Sequence, residues 1–528
     1  MSSRLRIPDW ILLSAFCVFF FLWKLSSFGL IGADEPRYAQ VAREMLAHHD
    51  WITPTLGGTP WLEKPPLYYW QAMIAYRVFG VSDWAARLPS VIDASVLIFA
   101  VYYFLRRLRP ASALDGALML ACSAGIVGYA RAASMDMPLT ATFTIAMISW
   151  YAWFETGSRL HLATFYGSLA LATLAKGPVA PFLAAVIIIL WVALQRSWRA
   201  MRQSLWLLGI LLFFLVGLPW YLLVQLRNPQ FFRVFILEHN LARFGTNMFH
   251  HPEPFWYFGP VTLLGWVPWA VFVIAALIWA IRRFRQPDSD TLSSFLVIWI
   301  AVIVLFFSIS QSKLPGYVLP AVPPGIMLLA DYLRDKSSRR PRLGLITVHS
   351  ALAGTLVMAA LLTRYAVPQH HLQWNSSLIA PPIAAMIGAT AVAVFTAIVF
   401  FKTGFSGLRV VTSIAAVIAL TIALRLSAPA LNETLSARTI SESLLRLAPP
   451  QLPVAVVLVS RETEFGLQFY RNQEKVPRYE LREAPAGEHL LVAAQGFRDA
   501  FAKNIPGRKI VYLGSSPTQK LEFFYIGP

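Results

Sequence analysis

Charged side chains are scarce in this sequence of 528 residues: they form 14% of it, against about 25% in an average soluble protein. Hydrophobic residues form 57% of the chain. So little charge cannot cover the surfaces of the several soluble domains that the length alone would suggest. The composition excludes an ordinary soluble protein and indicates a chain that lies largely in a membrane.

Cysteines are scarce as well, with 2 in the whole chain. Cys17 and Cys122 both lie in apolar runs and the sequence has no CxxC pair, which excludes a disulfide framework and a cysteine-based metal site. The sequence also lacks a glycine-rich nucleotide-binding pattern and an internal repeat of fixed period. We therefore expect no nucleotide cofactor.

Apolar runs long enough to cross a bilayer recur along the chain. They predict an α-helical polytopic membrane protein with about thirteen transmembrane helices, at residues 10–29, 89–105, 113–129, 138–154, 162–175, 178–194, 205–225, 257–280, 292–309, 316–332, 343–363, 377–400 and 410–426. With the N-terminus in the cytoplasm, the cytoplasmic segments contain 19 Lys and Arg, and the short exterior loops after the first contain 7. This bias follows the positive-inside rule, so the net charge of +18 reflects topology and contact with membrane lipids and does not indicate nucleic acid.

The segments outside these spans define the predicted domains. Residues 1–429 form a transmembrane domain with a long exterior loop at 30–88 and a second exterior loop at 227–256. Residues 430–528 form a small α/β domain, because "PVAVVLVS", "HLLVAAQ" and "KIVYLG" are typical of strands and "ETEFGLQFYR" of a helix. An odd number of spans places this domain outside.

The stretch "GADEPRYAQVAREM", residues 32–45, begins the long exterior loop. Its apolar residues recur at helical spacing, which predicts an amphipathic helix in the bilayer interface. Asp34 lies at the start of this helix, where a carboxylate can cap free backbone N–H groups. Capping is the structural alternative to a functional role for Asp34.

Several further polar residues fall on the same exterior face. Ionisable groups at a membrane are costly, and separate loops that supply them to one side indicate a shared site. The set comprises Asp34, Glu35, Glu63, Lys64, Tyr68, Tyr69, Arg131, Asp136, Lys176, Glu238, His239, Arg243, His250, His251, Lys313 and Tyr317.

These residue types suit a phosphorylated lipid. The cations able to bind a phosphate are Lys64, Lys176, Arg243 and Lys313. Asp34 and Asp136 could abstract a proton or orient a substrate. Tyr68, Tyr69 and Arg131 are candidates for substrate contact, although an interfacial aromatic belt would also supply the tyrosines.

Histidines of the second exterior loop raise the question of a metal. Glu63, His239 and His251 could bind zinc, which accepts carboxylate and imidazole ligands. Their spacing is not a metal-binding signature, and interfacial hydrogen bonding is the simpler interpretation of the histidines.

The exterior motifs also carry a family resemblance. They are "GADEPRYAQVAREML", "WLEKPPLYYW", "RAASMDMPL", "LAKGP", "EHNLARF", "HHPEPFWYF" and "KLPGYVLP". In this order they resemble the motif series of bacterial glycosyltransferases of the GT-C class, above all the aminoarabinose (lipid A) transferases, which are similar to the protein O-mannosyltransferases.

The resemblance implies a GT-C fold and a glycosyltransferase that moves a sugar from a polyprenyl-phosphate donor to an envelope acceptor, in the first place lipid A, with inversion and without a nucleotide. It implies a bacterial inner membrane, a cytoplasmic N-terminus, and a periplasmic active site and C-terminal domain. The runner-up activity is protein O-glycosylation or transfer to another envelope polymer. A flippase for a lipid-linked sugar and a receptor or scaffold are the alternatives from other classes.

The resemblance also implies roles for individual residues. The catalytic acid of the family corresponds to Asp34, with Glu35 beside it, and a second acidic position corresponds to Asp136. Its zinc position includes Glu63 and histidines of the second exterior loop, here His239 and His251. The lipid-phosphate contacts correspond to Lys64, Lys176, Arg243 and Tyr317.

Overall fold

The computed structural model describes residues 8–242, 253–284, 290–336, 343–362, 381–481, 483–503 and 505–528. Helices dominate the described chain. Its first half contains α1 (Asp9–Cys17), α2 (Asp34–Ala47), α3 (Leu67–Phe79), α4 (Asp83–Leu108), α5 (Ala113–Ala121), α6 (Ala124–Ala130), α7 (Asp136–Thr156), α8 (Arg159–Lys176), α9 (Val179–Gln195), α10 (Trp198–Ser204) and α11 (Leu207–Arg227). Its second half contains α12 (Phe258–Trp266), α13 (Ala270–Arg283), α14 (Thr291–Ile309), α15 (Val322–Lys336), α16 (Leu343–Leu362), α17 (Pro381–Thr403), α18 (Phe405–Leu426), α19 (Ala428–Leu435), α20 (Ala437–Leu447), α21 (Arg461–Arg471) and α22 (Arg498–Ala502).

Shorter helical segments and strands complete the chain. Two π-helical segments, Val18–Leu22 and Phe232–Ala242, continue α1 and follow α11. Four 3₁₀ segments are Pro110–Ser112, Phe255–Tyr257, Pro315–Ala321 and Tyr479–Leu481. The strands are β1 (Thr55–Leu56), β2 (Thr59–Pro60), β3 (Val454–Val457), β4 (His489–Ala494), β5 (Ile510–Ser516) and β6 (Leu521–Ile526).

Six helices of the described chain are long and apolar enough to cross a bilayer, and up to nine spans result if each of three sharply bent helix pairs is one span. Every predicted span overlaps a helix of the described chain, while residue 363 and residues 377–380, at the ends of two spans, lie outside the described residues. The spans at 10–29, 138–154, 162–175 and 178–194, however, fall on helices that are too short or too polar to meet this criterion. The prediction of a helical polytopic membrane protein is thus confirmed, and the predicted thirteen spans exceed the number that helix length and composition support.

The helices pack around large aromatic side chains. Trp150, Trp191, Trp269 and Trp299 are each 0% exposed, and the Trp191 ring packs edge-on against that of Trp150 at 5.6 Å between centroids. By contrast, only 22% of the most apolar stretch of α11 is buried inside the protein, so most of its side chains face outward. An outward apolar surface is stable in lipid, where burying it inside the protein offers no advantage.

The segment between α1 and α4, here called the exterior segment after its predicted location, is anchored by a buried ion pair. The Glu35 carboxylate accepts hydrogen bonds from Arg87 Nε at 3.1 Å and Nη2 at 2.7 Å. Arg87 is 0% exposed and also donates to the carbonyl oxygens of Leu25, Phe28 and Gly29. This network holds the start of α2 against α4.

The C-terminal part contains a four-stranded sheet with strand order β3-β4-β6-β5, as a small α/β unit requires. β3 pairs with β4 in parallel, and β4 and β5 each pair with β6 antiparallel. The parallel pair is connected through α21, which covers one face of the sheet. The predicted strand and helix stretches in residues 430–528 are confirmed.

This C-terminal unit packs on the exterior segment. Arg438 forms an ion pair with Asp83 at the first turn of α4. The Tyr470 hydroxyl accepts from the Leu30 backbone N–H at 2.7 Å and donates to the Asp83 carboxylate at 3.3 Å. A side chain at Gly29 would lie 2.2 Å from Ser436 Oγ, so the two parts are in close contact.

Candidate active site

An ion pair between Asp136 and Lys176 lies at the centre of the site. Asp136 is the first residue of α7, and its carboxylate also accepts a hydrogen bond from Ser134 Oγ at 2.9 Å. Lys176 is the last residue of α8, where Gly177 with φ +98° ends the helix. The helix ends thus bring the acid and the cation to the same edge of the bundle.

The segment Pro315–Ala321 closes over this pair. The Lys176 ammonium lies 4.7 Å from the centroid of the Tyr317 ring, a cation–π contact. A Cβ atom at Gly316 would lie 2.5 Å from the Asp136 carboxylate, so a larger residue there would require the carboxylate or the segment to move. Lys64 adds a further positive charge that favours the ionised form of Asp136. The structure therefore brings together four of the predicted site residues, namely Asp136, Lys176, Lys64 and Tyr317.

Asp34, at the start of α2, forms an ion pair with Arg37. Its side chain is 55% exposed, whereas that of Arg37 is 14% exposed. The Arg37 guanidinium lies over the rings of Tyr38 and Trp61, at 5.2 and 5.0 Å from their centroids. The carboxylate of Asp34 is thus open on one side and held by an enclosed cation on the other.

Two tyrosine hydroxyls are affected by the charges of both Asp34 and Asp136. Burial raises the pKa of the Tyr38 hydroxyl, and Asp34 and Asp136 raise it further, while Arg37 partly offsets them. Both carboxylates also act electrostatically on the Tyr129 hydroxyl. Asp34 and Asp136 therefore both lie within electrostatic range of the Tyr38 and Tyr129 hydroxyls. Tyr38 stays protonated at neutral pH and can donate a hydrogen bond.

The structure describes two of the three predicted metal ligands. His239 Nε2 lies 3.6 Å from Glu63 Oε1. His251 and the predicted phosphate ligand Arg243 lie outside the described residues. Among the residues that the structure describes, no three histidine, cysteine, aspartate or glutamate side chains form a group that could hold a metal ion.

Glu35 and Arg131 serve the scaffold in this structure. The Glu35 carboxylate accepts from Ile31 N and Ala133 N, at 2.9 and 2.7 Å, besides Arg87, which leaves it no side open to a substrate. Arg131 is 7% exposed and donates to backbone carbonyl oxygens at the end of the first helical segment, including that of Trp23 at 2.9 Å. The geometry gives no support to their predicted catalytic and substrate-contact roles.

The two predicted contact tyrosines differ from each other. Tyr68 and Tyr69 are both 0% exposed. The Tyr68 hydroxyl donates to the Ala86 carbonyl at 2.8 Å and is thereby used inside the protein. Burial raises the pKa of Tyr69, and the nearby Tyr38 raises it further. The rings of Tyr68 and Tyr69 both pack against that of Tyr38, at 6.3 and 6.4 Å between centroids, so the two residues differ in the use of their hydroxyls and not in their distance from Tyr38.

Comparisons with known proteins agree with this architecture. The family model described as "Dolichyl-phosphate-mannose-protein mannosyltransferase" matches residues 10–235. The undecaprenyl phosphate-alpha-4-amino-4-deoxy-L-arabinose arabinosyl transferase of Pseudomonas paraeruginosa is 31% identical over 379 residues, which cover 69% of this chain and 67% of the relative. That of Edwardsiella ictaluri is 30% identical over 377 residues, which cover 70% and 68%. The chain belongs to this arabinosyl transferase family.

The fold of the family is known from a solved structure. The crystal structure of ArnT from Cupriavidus metallidurans bound to undecaprenyl phosphate matches with a TM-score of 0.80 and 21% identity, over 98% of this chain and 97% of that chain. The resemblance drawn from the motifs is therefore confirmed. The chain is a multi-pass membrane glycosyltransferase with the GT-C fold.

An apolar cavity of about 570 Å³ opens beside the charged residues of this family member. Its lining includes Tyr129, Pro315, which directly precedes the Gly316 beside Asp136, and Trp256, whose side chain is 66% exposed. An apolar cavity close to a charged site suits a phosphorylated hydrocarbon chain.

Sequence reasoning missed several residues that build the site. Arg37 and Tyr38 lie inside the motif "GADEPRYA", of which only the two acids were predicted to form part of the site. Ser134 and Gly316 are small residues in motifs from which the charged and aromatic residues were predicted to form the site. The glycine in "KLPGY" was a signal, since a glycine between a proline and an aromatic residue often marks a close approach of the backbone.

Proposed function

We propose that the chain transfers 4-amino-4-deoxy-L-arabinose from undecaprenyl phosphate to lipid A, at the periplasmic face of a bacterial inner membrane. The names of its relatives specify this donor, and the expected topology places the N-terminus in the cytoplasm. The observation that carries the proposal is the meeting of Lys176, Lys64 and Tyr317 around Asp136, beside Asp34 and an apolar cavity.

The cations stabilise the leaving group. As the bond from the anomeric carbon to the phosphate oxygen breaks, the polyprenyl phosphate takes the electron pair and gains a negative charge. Lys176 and Lys64 lie where this charge develops, and the Tyr317 hydroxyl can donate to it. Arg243, outside the described residues, is expected to complete this set.

Asp34 faces the acceptor in this proposal. If the acceptor is a phosphate of lipid A, its oxygen is already ionised and attacks the anomeric carbon from the side opposite the leaving phosphate, with inversion. Asp34 then orients the sugar. If the acceptor is a hydroxyl, Asp34 takes its proton as general base. The 55% exposure of the Asp34 side chain fits either role.

Glu63 and His239 fit a zinc ion. Their distance of 3.6 Å is what two ligands of one zinc ion require, since each binds at about 2.0–2.2 Å in tetrahedral geometry. We propose that His251 supplies a third ligand. A zinc ion there would add positive charge and hold the second exterior loop to Glu63.

The experiment that tests the function is a transfer assay with the purified protein in detergent or lipid nanodiscs. The donor is undecaprenyl phosphate-linked 4-amino-4-deoxy-L-arabinose and the acceptor is lipid A, with products identified by mass spectrometry. Modified lipid A supports the proposal. A protein that consumes the same donor only with a peptide acceptor would favour the protein O-glycosyltransferase alternative, which the mannosyltransferase family match also fits.

A further inference from the structure

The Arg37 guanidinium is enclosed by three aromatic rings that come from two distant parts of the chain. Tyr38 and Trp61 belong to the exterior segment, with ring centroids 5.2 and 5.0 Å away. The third ring is that of Phe465, on α21 of the C-terminal unit, at 5.8 Å. The C-terminal unit therefore contacts Arg37, the ion-pair partner of Asp34.

α21 packs against α2 through several contacts. Arg43 on α2 donates a hydrogen bond to the Phe469 carbonyl oxygen, one helical turn beyond Phe465. Its guanidinium also lies over the Phe469 ring, at 5.7 Å from the centroid. Tyr470, at the end of the same helix, bonds to Leu30 and Asp83. Contacts on both sides thus fix where the Phe465 ring lies relative to Asp34.

Asp34 depends on Arg37 for a defined position. Its carboxylate is more than half exposed, and its hydrogen bond to Arg37 is the contact that restrains it in the described structure. An arginine side chain has many rotamers, and it loses that freedom when aromatic faces enclose the guanidinium. Without the Phe465 ring, one side of this enclosure is open.

We infer that Phe465 is a positioning residue for transfer, by which the C-terminal unit completes the active site through Arg37. This inference rests on the proposed role of Asp34, and it does not depend on which sugar or acceptor is used. Phe465 touches no reacting atom. Its ring fixes Arg37, and Arg37 fixes the Asp34 carboxylate.

The test is a double-mutant cycle in the purified full-length protein, with the substrates on which the wild type is active. The variants are Phe465→Leu, Arg37→Gln and the two combined. Phe465→Leu should lower kcat about tenfold, as the loss of a desolvated cation–π contact predicts, and leave KM for the donor unchanged. On the Arg37→Gln background the same change should have no further effect.

Two further variants separate positioning from general stability. Phe465→Trp keeps an aromatic face and should restore most of the activity. Phe497→Leu makes the same substitution at a ring that is 41% exposed elsewhere in the C-terminal unit, and should leave kcat unchanged. All variants are compared by thermal unfolding, so that a fall in kcat at equal melting temperature counts as loss of positioning.

The outcomes of the inference and of the proposed function are distinct. The positioning role would be overturned if Phe465→Leu lowered kcat by the same factor in the wild type and in Arg37→Gln. It would also be overturned if Phe465→Leu had the wild-type kcat. Failure of the wild type to modify lipid A would overturn the proposed function, and the cycle is then measured with the acceptor that lipid analysis identifies.

Discussion

Asp34 and Asp136 both lie at the first turn of a helix, but their surroundings give them different roles. Asp136 is 20% exposed and is occupied by Lys176 and Ser134. Asp34 is 55% exposed and meets a single cation, Arg37. The more open carboxylate is the one available to a substrate, and the more enclosed one keeps Lys176 in place.

Asp34→Asn keeps the shape of the side chain and removes its charge. We expect transfer to fall by about 100-fold or more, the range for loss of an acid–base or orienting carboxylate. The measurement is kcat in the purified transfer assay. Asp499→Asn, an exposed acid in the first turn of α22, is the matched control and should keep wild-type activity. Full turnover by Asp34→Asn would return this residue to helix capping.

Gly316→Ala tests the packing of the Asp136 carboxylate. The new Cβ would lie 2.5 Å from it, so Asp136 or the 3₁₀ segment must move. A displacement of about 1 Å at a catalytic site can cost about 100-fold in rate. Gly128→Ala, where nothing lies within 4 Å of the new atom, should be active. If both variants transferred sugar at the wild-type rate, Asp136 would have no part in the reaction.

Glu63→Gln tests the proposed zinc site. A neutral amide is a poor zinc ligand, so metal content measured by elemental analysis should fall from about one zinc per chain to well below that. Glu442→Gln, at an exposed position of α20, should retain the metal. Wild-type protein that contains no zinc after purification without chelators would contradict the site itself.

At the scale of elements, the position of α2 depends on the buried pair of Glu35 and Arg87. Breaking a buried ion pair by removing one charge costs about 3–5 kcal/mol, because the other charge stays buried and unpaired. We therefore expect Glu35→Gln to lower the melting temperature clearly in detergent, with Glu442→Gln unchanged. A Glu35→Gln protein that is as stable as the wild type but inactive would instead support the predicted catalytic role of Glu35.

The sequence predicts the helices well and their interruptions poorly. Apolar length alone located helices, since each predicted span overlaps one, but four of the thirteen spans fall on helices that are too short or too polar to count as membrane-crossing by length and composition. Apolar length does not show where a helix bends, as between α12 and α13 at 113°, although Pro268 between them is a residue that interrupts a helix. Arg131 illustrates the same limit at a site: a charge at the membrane edge suggested substrate contact, and only the tertiary structure shows that it meets backbone carbonyls.

At the scale of the whole molecule, the site is assembled from elements far apart in sequence. Asp136 and Lys176 come from α7 and α8, and Gly316 from the segment before α15. The motifs predicted that Asp136, Lys176 and Tyr317 would share one face. They could not predict that the C-terminal unit takes part, because its contacts join residues such as Asp83 and Arg438, which are 355 positions apart.

The measurement that most directly tests the proposed transfer compares lipid A by mass spectrometry from cells that contain the wild-type protein, Asp34→Asn or neither. We predict an added aminoarabinose on lipid A in the wild-type cells alone, and accumulation of the polyprenyl-linked sugar in the other two. Lipid A that is unchanged in cells with the wild-type protein, or modified equally by Asp34→Asn, would contradict it.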